Sequence, residues 1–462
     1  MKKNGNGTAE QESQSLTKNQ VLPLTIESVD GMMNGVAHIN GQAVFVSGAL
    51  DGENIKAQIV KCAKHYAFAR INALDTENPA RIAPPCPFYK QCGGCSALHM
   101  TYQKTLEIKR QAVEQVFKRI GHIDVSVPPV LGMAEPFHYR NKTVTPVGGN
   151  ITQPQFGFFS PRSHRLVPIN DCLIAKKQSI QIAETVMEWM KKCRIAPYDE
   201  LSGQGLVRHI MSRVAKDGRC MAVIIAASDK LPHADLLCDL LKTKVQGLVS
   251  VCLIVNNQRG NAILSDNYRV LWGQDRLSDD LCGFHFALSP LSFFQINPIQ
   301  TEVLYQTALD FAALAPTETA ADLYCGAGTI SLLLAKKAKQ VIGVEIVEAA
   351  IRDAKENALK NGVENVSFHA AAVEDLLPTL VNDGLRPDVV VLDPPRKGAE
   401  PTVLQAILQA APSRIVYISC DPATQARDVR ILLDGGYTLR KMQPVDMFCW
   451  TSHVENVCVL TR

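Results

Sequence analysis

The sequence lacks any long uninterrupted hydrophobic run and also lacks a strong net charge. No stretch approaches the ~18 apolar residues that a membrane-spanning helix needs, which argues against an integral membrane protein. The formal net charge is only +3 over 462 residues, so no global positive field predicts a polyanionic partner. Internal repeats are absent from the sequence, which excludes repeat architectures.

Residues 1–20 are polar and contain no apolar stretch, so they predict a disordered tail and not a secretion signal. Without such a signal, 14 cysteines argue against a disulfide framework and favour reduced thiols in a cytoplasmic protein. We expect most of them to be inert core residues, including Cys193, Cys220, Cys238, Cys252 and Cys325.

A chain of 462 residues predicts about three domains at roughly 100–200 residues each. Short β-rich segments separated by glycine turns predict a small OB-like β-barrel over residues 21–77. Residues 78–292 mix helical and strand patterns, which predicts a central α+β domain. From residue 293 to residue 462 strands and helices alternate, which is typical of a Rossmann-like α/β domain with a doubly wound sheet.

Positive charge is concentrated in one part of the chain. Between Arg81 and Asn170, 11 Lys and Arg residues stand against four Asp and Glu. A local basic surface favours nucleic acid, although ordinary variation in sign along a solvated surface explains the same counts equally well. A helix predicted over residues 101–120 carries several of these cations opposite one apolar stripe.

A glycine loop at residues 322–328, Asp-Leu-Tyr-Cys-Gly-Ala-Gly, follows a predicted strand. Gly326 and Gly328 permit a tight turn and a close approach of the backbone to a ligand at the next helix N-terminus. Glu345 ends the following strand, where an acid can accept both hydroxyls of a ribose. The third glycine of the dinucleotide fingerprint is missing, so the pattern favours S-adenosylmethionine, which carries no pyrophosphate.

Asp393-Pro394-Pro395-Arg396 closes another apolar strand, and its prolines stiffen a loop at the edge where α/β sheets bind ligands. A related loop with an aromatic fourth residue receives the target nitrogen in amino-methyltransferases. Arg396 in that place disfavours the same use here. A rigid turn without a ligand is the structural alternative.

Cys420 follows a strand predicted over residues 415–419, so we expect it at the same sheet edge. Carbon 5 of uracil is too weak a nucleophile to take a methyl group unaided, but a thiolate added to carbon 6 makes it enolate-like. That chemistry needs one cysteine and one general base. We expect the surroundings to lower the pKa of Cys420, with loop amides or Arg427 offsetting Asp421. A buried inert thiol is the alternative.

Glu455 precedes the last strand-like segment and is the candidate base, with His453 as its rival. In the segment Phe293-Phe294-Gln295, an aromatic ring can stack on an extruded base, and Gln295 can bond an amide edge or the cofactor. At least one of the two phenylalanines is expected to be a core residue.

Cys86, Cys92 and Cys95 form a cluster of thiols, and Cys172 is the best candidate for a fourth. Four thiolates hold either a tetrahedral zinc ion or an iron–sulfur cluster. The three-plus-one arrangement favours a [4Fe–4S] cluster, while zinc and coincidence remain alternatives.

Together these motifs resemble the RNA 5-methyluridine methyltransferases, which include the 23S rRNA and tRNA uracil-C5 enzymes, over nearly the full chain. The β module is similar to their TRAM RNA-binding domain, especially at residues 35–37 and 46–53. The resemblance is carried by the segments Phe294–Asn297, Asp322–Gly326, Asp393–Arg396, Ser419–Thr424 and His453–Glu455.

The resemblance implies Cys420 as nucleophile and Glu455 as the base that removes the carbon-5 proton. It implies cofactor contacts from Gln295, Tyr324, Glu345 and Asp393. It further implies that Cys86, Cys92, Cys95 and Cys172 are [4Fe–4S] ligands and that the helix at 101–120 packs on the catalytic domain. Two departures are Asp421, where members often have Asn, and Cys449-Trp450, where Pro-Gln is more usual.

The expected function is therefore methylation of carbon 5 of a uridine in structured RNA, with S-adenosylmethionine as donor. By analogy 23S rRNA is preferred, and tRNA is the alternative. A non-covalent amino-methyltransferase and a non-catalytic RNA-binding protein are the remaining alternatives. No membrane and no obligate protein partner are implied.

Overall fold

The structure is a computed structural model that describes residues 16–260 and 262–462. The described chain divides into two compact units. The first contains the N-terminal residues up to Pro84 together with Ser96–Ile108, and the second contains Pro85–Cys95 together with Lys109–Arg462. The boundaries expected near residues 77 and 292 stay predictions.

The expected N-terminal tail lies mostly outside the described residues. Residues 16–20 are described, and there the Asn19 N–H donates to the carbonyl of Ile59 at 2.8 Å. Leu16 packs against the core of the first unit. Residues 16–20 are therefore part of the folded first unit, contrary to the expected tail over residues 1–20.

A sheet of six strands forms the first unit. Its strands are β1 (Val21–Thr25), β2 (Ser28–Val29), β3 (Asn34–Ile39), β4 (Gln42–Ser47), β5 (Asn54–Cys62) and β6 (Tyr66–Thr76). They are hydrogen-bonded in the order β1-β5-β6-β4-β3-β2. Alternate residues such as Val44, Val46 and Ala67 fill one core, as the period-2 pattern of a half-buried sheet requires. The predicted small β module is confirmed.

The predicted basic helix is α1 (Tyr102–Arg119), whose C-terminal part belongs to the second unit. There Lys109 Nζ pairs with Asp446 Oδ1 at 2.5 Å, and both side chains are completely buried. The same ammonium donates to the carbonyl of Phe448 at 3.1 Å. A buried charge needs such a partner, so this pair holds α1 against the segment that precedes Glu455.

The middle of the chain forms a mixed sheet with two helices on it, as the α+β prediction required. Its elements are β7 (Lys142–Gly149), β8 (Pro154–Phe159), β9 (Leu166–Pro168), α2 (Lys177–Cys193), β10 (Val207–Val214), β11 (Cys220–Ala226), α3 (Ala234–Lys244), β12 (Leu248–Val255) and β13 (Tyr268–Gly273). The strand order is β13-β12-β11-β10-β7-β8-β9. A hairpin follows, made of β14 (Leu277–Leu281) and β15 (Phe284–Leu288).

The C-terminal part is the predicted α/β domain. Its elements are α4 (Pro298–Ala312), β16 (Thr319–Leu323), α5 (Thr329–Ala335), β17 (Gln340–Glu345), α6 (Glu348–Lys360), β18 (Val366–Ala370), α7 (Val373–Asn382), β19 (Val389–Leu392), α8 (Pro401–Ala410), β20 (Arg414–Ser419), α9 (Pro422–Asp434), β21 (Thr438–Val445) and β22 (Glu455–Thr461). The strand order is β18-β17-β16-β19-β20-β22-β21. The first five strands are parallel, and β22 runs antiparallel to both of its neighbours.

Local sequence explains where two of these helices begin. The Asn297 side chain caps α4 by accepting the N–H of Gln300 at 3.3 Å, and Pro298 occupies the first turn. Asp421 caps α9 in the same way, accepting the N–H of Ala423 at 2.9 Å. An Asn or Asp cap followed by proline is a strong helix start, so α9 begins two residues after Cys420. Among the described residues, no helix has the length and apolar character needed to cross a bilayer.

Candidate active site

Three residues from the predicted motifs lie at the carboxyl edge of the C-terminal sheet. Asp322 is the penultimate residue of β16, Asp393 follows β19 and Cys420 follows β20. These strands are parallel neighbours, and the Asp393 N–H donates to the carbonyl of Leu323 at 3.3 Å. The edge where open α/β sheets bind ligands thus carries the residues that the motifs singled out.

Glu455 reaches this edge because β22 runs antiparallel to β20. The last bonded pair of the two strands is Ser419 with Asn456, so the next residue along each strand is Cys420 on one side and Glu455 on the other. The Gln425 amide of α9 reinforces the pairing, since it donates to the carbonyl of Asn456 at 3.0 Å. The candidate nucleophile and the candidate base are therefore neighbours across one strand pair.

The glycine loop is shaped for close approach. Gly328 has φ 81°, and a Cβ there would lie 2.9 Å from Cζ of Phe368, so only glycine fits. At Gly326 (φ 54°) a Cβ would meet nothing within 4 Å, which leaves open space beside the loop. The Gly326 N–H donates to Glu345 Oε2 at 3.2 Å and orients that carboxylate. Tyr324 has φ 67°, a strained value for a residue with a side chain.

The predicted cofactor contact Gln295 can also be placed, together with Asp322, a loop-motif residue for which no role was predicted. Asp322 is buried and accepts the Ser331 hydroxyl at 2.5 Å through Oδ2, while Oδ1 has no hydrogen-bond partner in the described chain. Gln295 is buried beside the start of α4, and its carbonyl accepts the Asn141 side-chain amide at 2.9 Å. An orphaned buried oxygen together with the open space at Gly326 is what a bound polar ligand would use.

Burial raises the pKa of all three carboxyl groups at this edge. Glu455 is 3% exposed, and burial and the neighbouring Asp393 raise its pKa to about 8, against a smaller opposing effect of Arg396. Burial raises the pKa of Asp393 to about 7, although part of the residue stays accessible to solvent. Burial and the charge of Asp393 raise the pKa of Asp322 to about 7, partly offset by the Ser331 hydrogen bond. Near neutral pH these acids therefore share protons.

The expected activation of Cys420 is wrong for the protein without RNA. Burial and the carboxylates of Glu455 and Asp393 raise the pKa of the thiol to about 11. A backbone N–H opposes this rise, as expected, but the opposing cation is Arg396 and not Arg427. Arg427 instead pairs with Asp428 at 2.7 Å and donates to the carbonyl of Lys397 at 3.0 Å. In the sequence motif, Arg396 indicated only that the loop is unsuited to amino-group methylation. It did not indicate an effect on Cys420.

The rival base His453 lies half-buried with its ring edge-on to Phe448, at a centroid distance of 5.7 Å. Burial and the charges of Arg396 and Lys109 lower its pKa, so the ring is neutral near pH 7. Asp393 is among the main causes of the pKa shifts of both Cys420 and Glu455.

The segment just before Glu455 departs from the family pattern and is rigidly held. The Trp450 indole stacks on Phe137 at a centroid distance of 5.2 Å and donates to the carbonyl of Pro136 at 2.9 Å. The Tyr139 hydroxyl donates to the carbonyl of Cys449 at 3.0 Å. The altered Cys449-Trp450 pair is therefore built into the protein interior and supports the loop that leads to the candidate base.

The two phenylalanines near Gln295 have different environments. Phe294 is buried in the core of the C-terminal domain, which confirms that at least one of the pair is structural. Phe293 is 72% exposed. Of the five cysteines expected to be inert, Cys220, Cys238, Cys252 and Cys325 are buried, and Cys193 is half-buried.

Comparisons with known proteins agree with this geometry. Residues 249–462 match the family model "tRNA (Uracil-5-)-methyltransferase", and residues 16–71 match the TRAM domain. A Clostridium tetani protein named "Uncharacterized RNA methyltransferase" is 44% identical over 96% of this chain and 97% of its own. A Listeria innocua protein of the same description is 44% identical over 97% of this chain and 99% of its own.

The chain belongs to the RNA (uracil-5-)-methyltransferase family. Its fold is also similar to that of the Pyrococcus abyssi tRNA (uracil-54, C5)-methyltransferase, solved with S-adenosyl-L-homocysteine. That similarity has a TM-score of 0.76 at 24% identity and covers 95% of this chain and 100% of the other. The multidomain fold with a strand-rich TRAM domain and a C-terminal methyltransferase domain is thereby confirmed.

Membership of this methyltransferase family makes the protein an S-adenosylmethionine-dependent enzyme acting on RNA. The residues at the sheet edge fit that cofactor. Glu345 is preoriented by Gly326, open space adjoins that glycine, and Asp322 retains an unpartnered oxygen. Asp322 is part of the loop motif, but the motif predicted no role for it. Its burial depends on the fold and could not be predicted from the sequence.

The four cysteines expected to bind a cluster are near enough in space for their charges to influence one another. The loop that holds Cys92 and Cys95 contacts β8, where the Gly93 N–H donates to the carbonyl of Phe159 at 3.0 Å. Burial is the main cause that raises the pKa of Cys95, and the negative charges of Cys172, Cys92 and Cys86 add to it. Within the described ranges, no group of three or more His, Cys, Asp or Glu side chains is arranged to hold a metal ion.

The raised pKa of Glu455 predicts how the stability of the fold depends on pH. The folded-state pKa of Glu455 lies well above its usual value of 4.5, so wild-type stability should fall as pH rises from about 4.5 to about 8. Glu455→Gln should therefore stabilise the fold at pH 8 by roughly 2–4 kcal/mol and have little effect near pH 4.5. Urea unfolding at both pH values measures this.

The matched control for that experiment is Glu348→Gln, which removes an exposed carboxylate on α6. It should change stability by less than about 0.5 kcal/mol at either pH. An equal effect of Glu455→Gln at pH 4.5 and pH 8 would show that the carboxyl is ionised normally in the folded protein.

Proposed function

We propose that this protein methylates carbon 5 of a specific uridine in folded RNA through a covalent bond between Cys420 and carbon 6 of the uracil. The observation that carries the proposal is the antiparallel pairing of β20 with β22, which sets the thiol of Cys420 next to the carboxyl of Glu455. Both groups are partly or fully buried, and the charge of Glu455 helps to raise the pKa of Cys420.

The chemistry that we assign to these residues balances as follows. The Cys420 proton passes to a carboxylate of the Asp393–Glu455 pair as Sγ forms a bond to carbon 6, and the electrons move toward the carbonyl at carbon 4. Carbon 5 then takes the methyl group, which S-adenosylmethionine supplies on its sulfonium when bound. Once the pair has released a proton to water, ionised Glu455 removes the proton from carbon 5, the carbon 5–carbon 6 double bond reforms, and Sγ leaves as a thiolate.

Arg396 and the coupled carboxyls have complementary parts in this proposal. At neutral pH Glu455 and Asp393 hold about one proton between them, because their pKa values are raised to about 8 and about 7. The pair can therefore accept the thiol proton and leave Arg396 as the cation nearest the developing thiolate. The base assignment stays with Glu455, because the pairing of β20 with β22 brings this residue next to Cys420 and its charge acts on the thiol.

Residues for RNA contact are found in both units. On the outer face of the first unit, the rings of Phe45, Tyr66 and Phe68 contact one another at centroid distances of 5.5–6.1 Å, and Tyr66 is 42% exposed. Aromatic rings on an outer β-face suit stacking of unpaired bases. In the second unit, exposed Phe293 is assigned to stack on the extruded uracil, next to Gln295.

For the target we propose 23S rRNA, by analogy with family members that combine a TRAM domain with a four-cysteine set. The tRNA alternative is favoured by the name of the matching family model and by the Pyrococcus abyssi enzyme of similar fold. The cytoplasmic location expected from the sequence stays a prediction.

The target proposal predicts a specific change in cellular RNA. Nucleoside mapping in cells that lack this protein should show 5-methyluridine missing from one or more positions of 23S rRNA and unchanged in tRNA. A control strain that carries Cys62→Ala, which removes an exposed thiol of the first unit, should keep the wild-type pattern. Loss of the nucleoside from tRNA alone would select the alternative target.

The covalent step predicts a trapped complex. RNA that carries 5-fluorouridine at the target should remain joined to the wild-type protein, because a fluorine at carbon 5 cannot leave as a proton does. Cys420→Ala should form no adduct and no product. Glu455→Gln should methylate normal RNA yet release it about 10²–10⁴-fold more slowly, the range for a positioned base. Denaturing gels and mass spectrometry of the attached peptide measure both.

The control for trapping is again Cys62→Ala, which should form the adduct at the wild-type rate. Full turnover by Cys420→Ala would remove the covalent step and favour a non-covalent amino-methyltransferase. Prompt release by Glu455→Gln would move the base role to His453.

We also propose that Cys86, Cys92, Cys95 and Cys172 hold a [4Fe–4S] cluster. Support comes from the donor set, which consists of four thiols, and from the mutual charge effects among these sulfurs. The Gly94 N–H lies 3.4 Å from Cys92 Sγ, a contact typical of cluster thiolates. A cluster bonds each thiolate to a different iron, so its sulfurs are spaced more widely than those around one ion.

Metal analysis tests the cluster directly. Protein purified without oxygen should contain about four iron atoms per chain and absorb broadly in the visible range. Cys95→Ala should lose most of the iron, whereas Cys193→Ala, which changes a half-buried thiol on α2, should retain it. Bound zinc without iron, or a metal-free protein, would contradict the proposal.

A further inference from the structure

Two cations face each other across a strand pair of the central sheet. Lys142 on β7 and Arg213 on β10 are direct partners in the antiparallel register. Residues that oppose each other in this way have Cβ atoms about 4.5–5.5 Å apart, and like charges at such positions destabilise a sheet. Arg213 is only 3% exposed, so water does little to screen the repulsion.

No acidic side chain compensates this pair. In the part of the chain that the structure describes, neither cation has an ion-pair partner, and Arg213 Nε has no hydrogen-bond partner. The Arg213 guanidinium donates only to the carbonyls of Pro290 and Ser292. A third cation, Arg140, donates its Nε–H to the carbonyl of Lys142 at 3.0 Å. Burial, followed by the charges of Arg213 and Arg140, lowers the pKa of Lys142 to about 8.

These cations adjoin the loop assigned to the extruded uridine. Between Arg140 and Lys142, the backbone N–H of Asn141 donates to the carbonyl of Ile296 at 2.8 Å, and its side chain donates to the carbonyl of Gln295. Since Arg213 donates to the carbonyl of Ser292, the same strand pair holds the loop on both sides of Phe293. These hydrogen bonds hold the cations Arg140, Lys142 and Arg213 next to the loop that carries the exposed ring of Phe293.

Folding alone gives no reason to keep an uncompensated pair of cations in a partly desolvated place. An anion that arrives with the substrate would remove the repulsion. S-Adenosylmethionine carries no phosphate, whereas every nucleotide of RNA carries one. An enzyme that extrudes a nucleotide must also hold the turned backbone on either side of it, and phosphate contacts fix position without reading sequence.

We propose that Lys142, with Arg140 beside it and buried Arg213 behind it, binds a phosphate of the RNA backbone adjacent to the extruded uridine. This site rests on the proposed function, because it places the phosphate next to the loop that receives the base. Half-buried Lys142 provides a mobile ammonium, and the guanidinium of Arg213 is locked by its bonds to the loop carbonyls.

The test compares full-length wild type with Lys142→Met, which keeps the length of the side chain and removes the charge. Affinity for target RNA, measured as a function of salt, should fall about five- to tenfold at 0.15 M salt. The slope of log affinity against log salt should decrease in magnitude by about one, as for the loss of one phosphate contact. Lys142→Arg should restore both, and Lys337→Met, at an exposed lysine after α5, should change neither.

A second measurement separates a phosphate site from a structural lysine. Without RNA, Lys142→Met should unfold at the same temperature as wild type or higher, because the variant loses a like-charge contact with Arg213. A lower unfolding temperature would overturn the premise, since it would show that the ammonium has a stabilising partner.

The outcomes also separate this inference from the proposed function. Lys142→Met should still form the 5-fluorouridine adduct at saturating RNA, because Cys420 is unchanged. Unchanged affinity and salt slope in Lys142→Met, together with a normal wild-type adduct, would overturn the phosphate site alone. Failure of the wild type to form any adduct would instead overturn the covalent mechanism.

Discussion

Hydrogen bonds between β20 and β22 bring the first residue of β22 to the same sheet edge as the last residues of the parallel strands. The carboxyl ends of parallel strands lie at one edge of the sheet, so Asp322, Asp393 and Cys420 lie at the same edge. A strand that runs the other way enters at that edge, so it contributes its first residue instead. This reversal puts Glu455 beside Cys420, and the proposed chemistry depends on that proximity.

The burial of several carboxyl groups at one sheet edge determines the pKa values of the site. Each carboxyl is removed from water, and each negative charge makes ionisation of its neighbours less favourable. The pKa values of Asp393 and Glu455 are therefore raised, and these groups are partly protonated near neutral pH, where exposed acids are ionised. The same charges and burial raise the pKa of Cys420, with Arg396 as the opposing cation. The protonation of Cys420 therefore depends on that of the neighbouring carboxyl groups.

Rigid supports surround this edge on both sides. The buried pair of Lys109 and Asp446, and the stacking of Trp450 on Phe137, fix the segment that leads into β22. On the other side, the strand pair β7–β10 holds the loop that carries Phe293 through bonds to its carbonyls. Packing of this kind restricts the reacting groups to one geometry, which catalysis by positioning requires.

Much of this protein was determined by local sequence. The bounds of β16, β17 and β19 follow from apolar runs that end at glycine, acidic or proline residues, and the motifs at those ends identified the sheet edge. The cap of α9 by Asp421 and Pro422 is equally local. Helix α5 ends at Ala335, because tertiary packing and not periodicity decides where a short helix stops.

Tertiary structure alone decided the rest, because charge interactions depend on distance in space. The direction of β22 cannot be read from a strand pattern, since parallel and antiparallel strands show similar apolar runs. The sequence therefore offered Glu455 as a candidate base without showing that it lies next to Cys420. The raised pKa of Cys420 and the opposition of Lys142 to Arg213 join residues far apart in sequence. The sequence thus specified which groups the site contains. Folding specified which charged groups lie close together and how strongly burial increases the interactions between them.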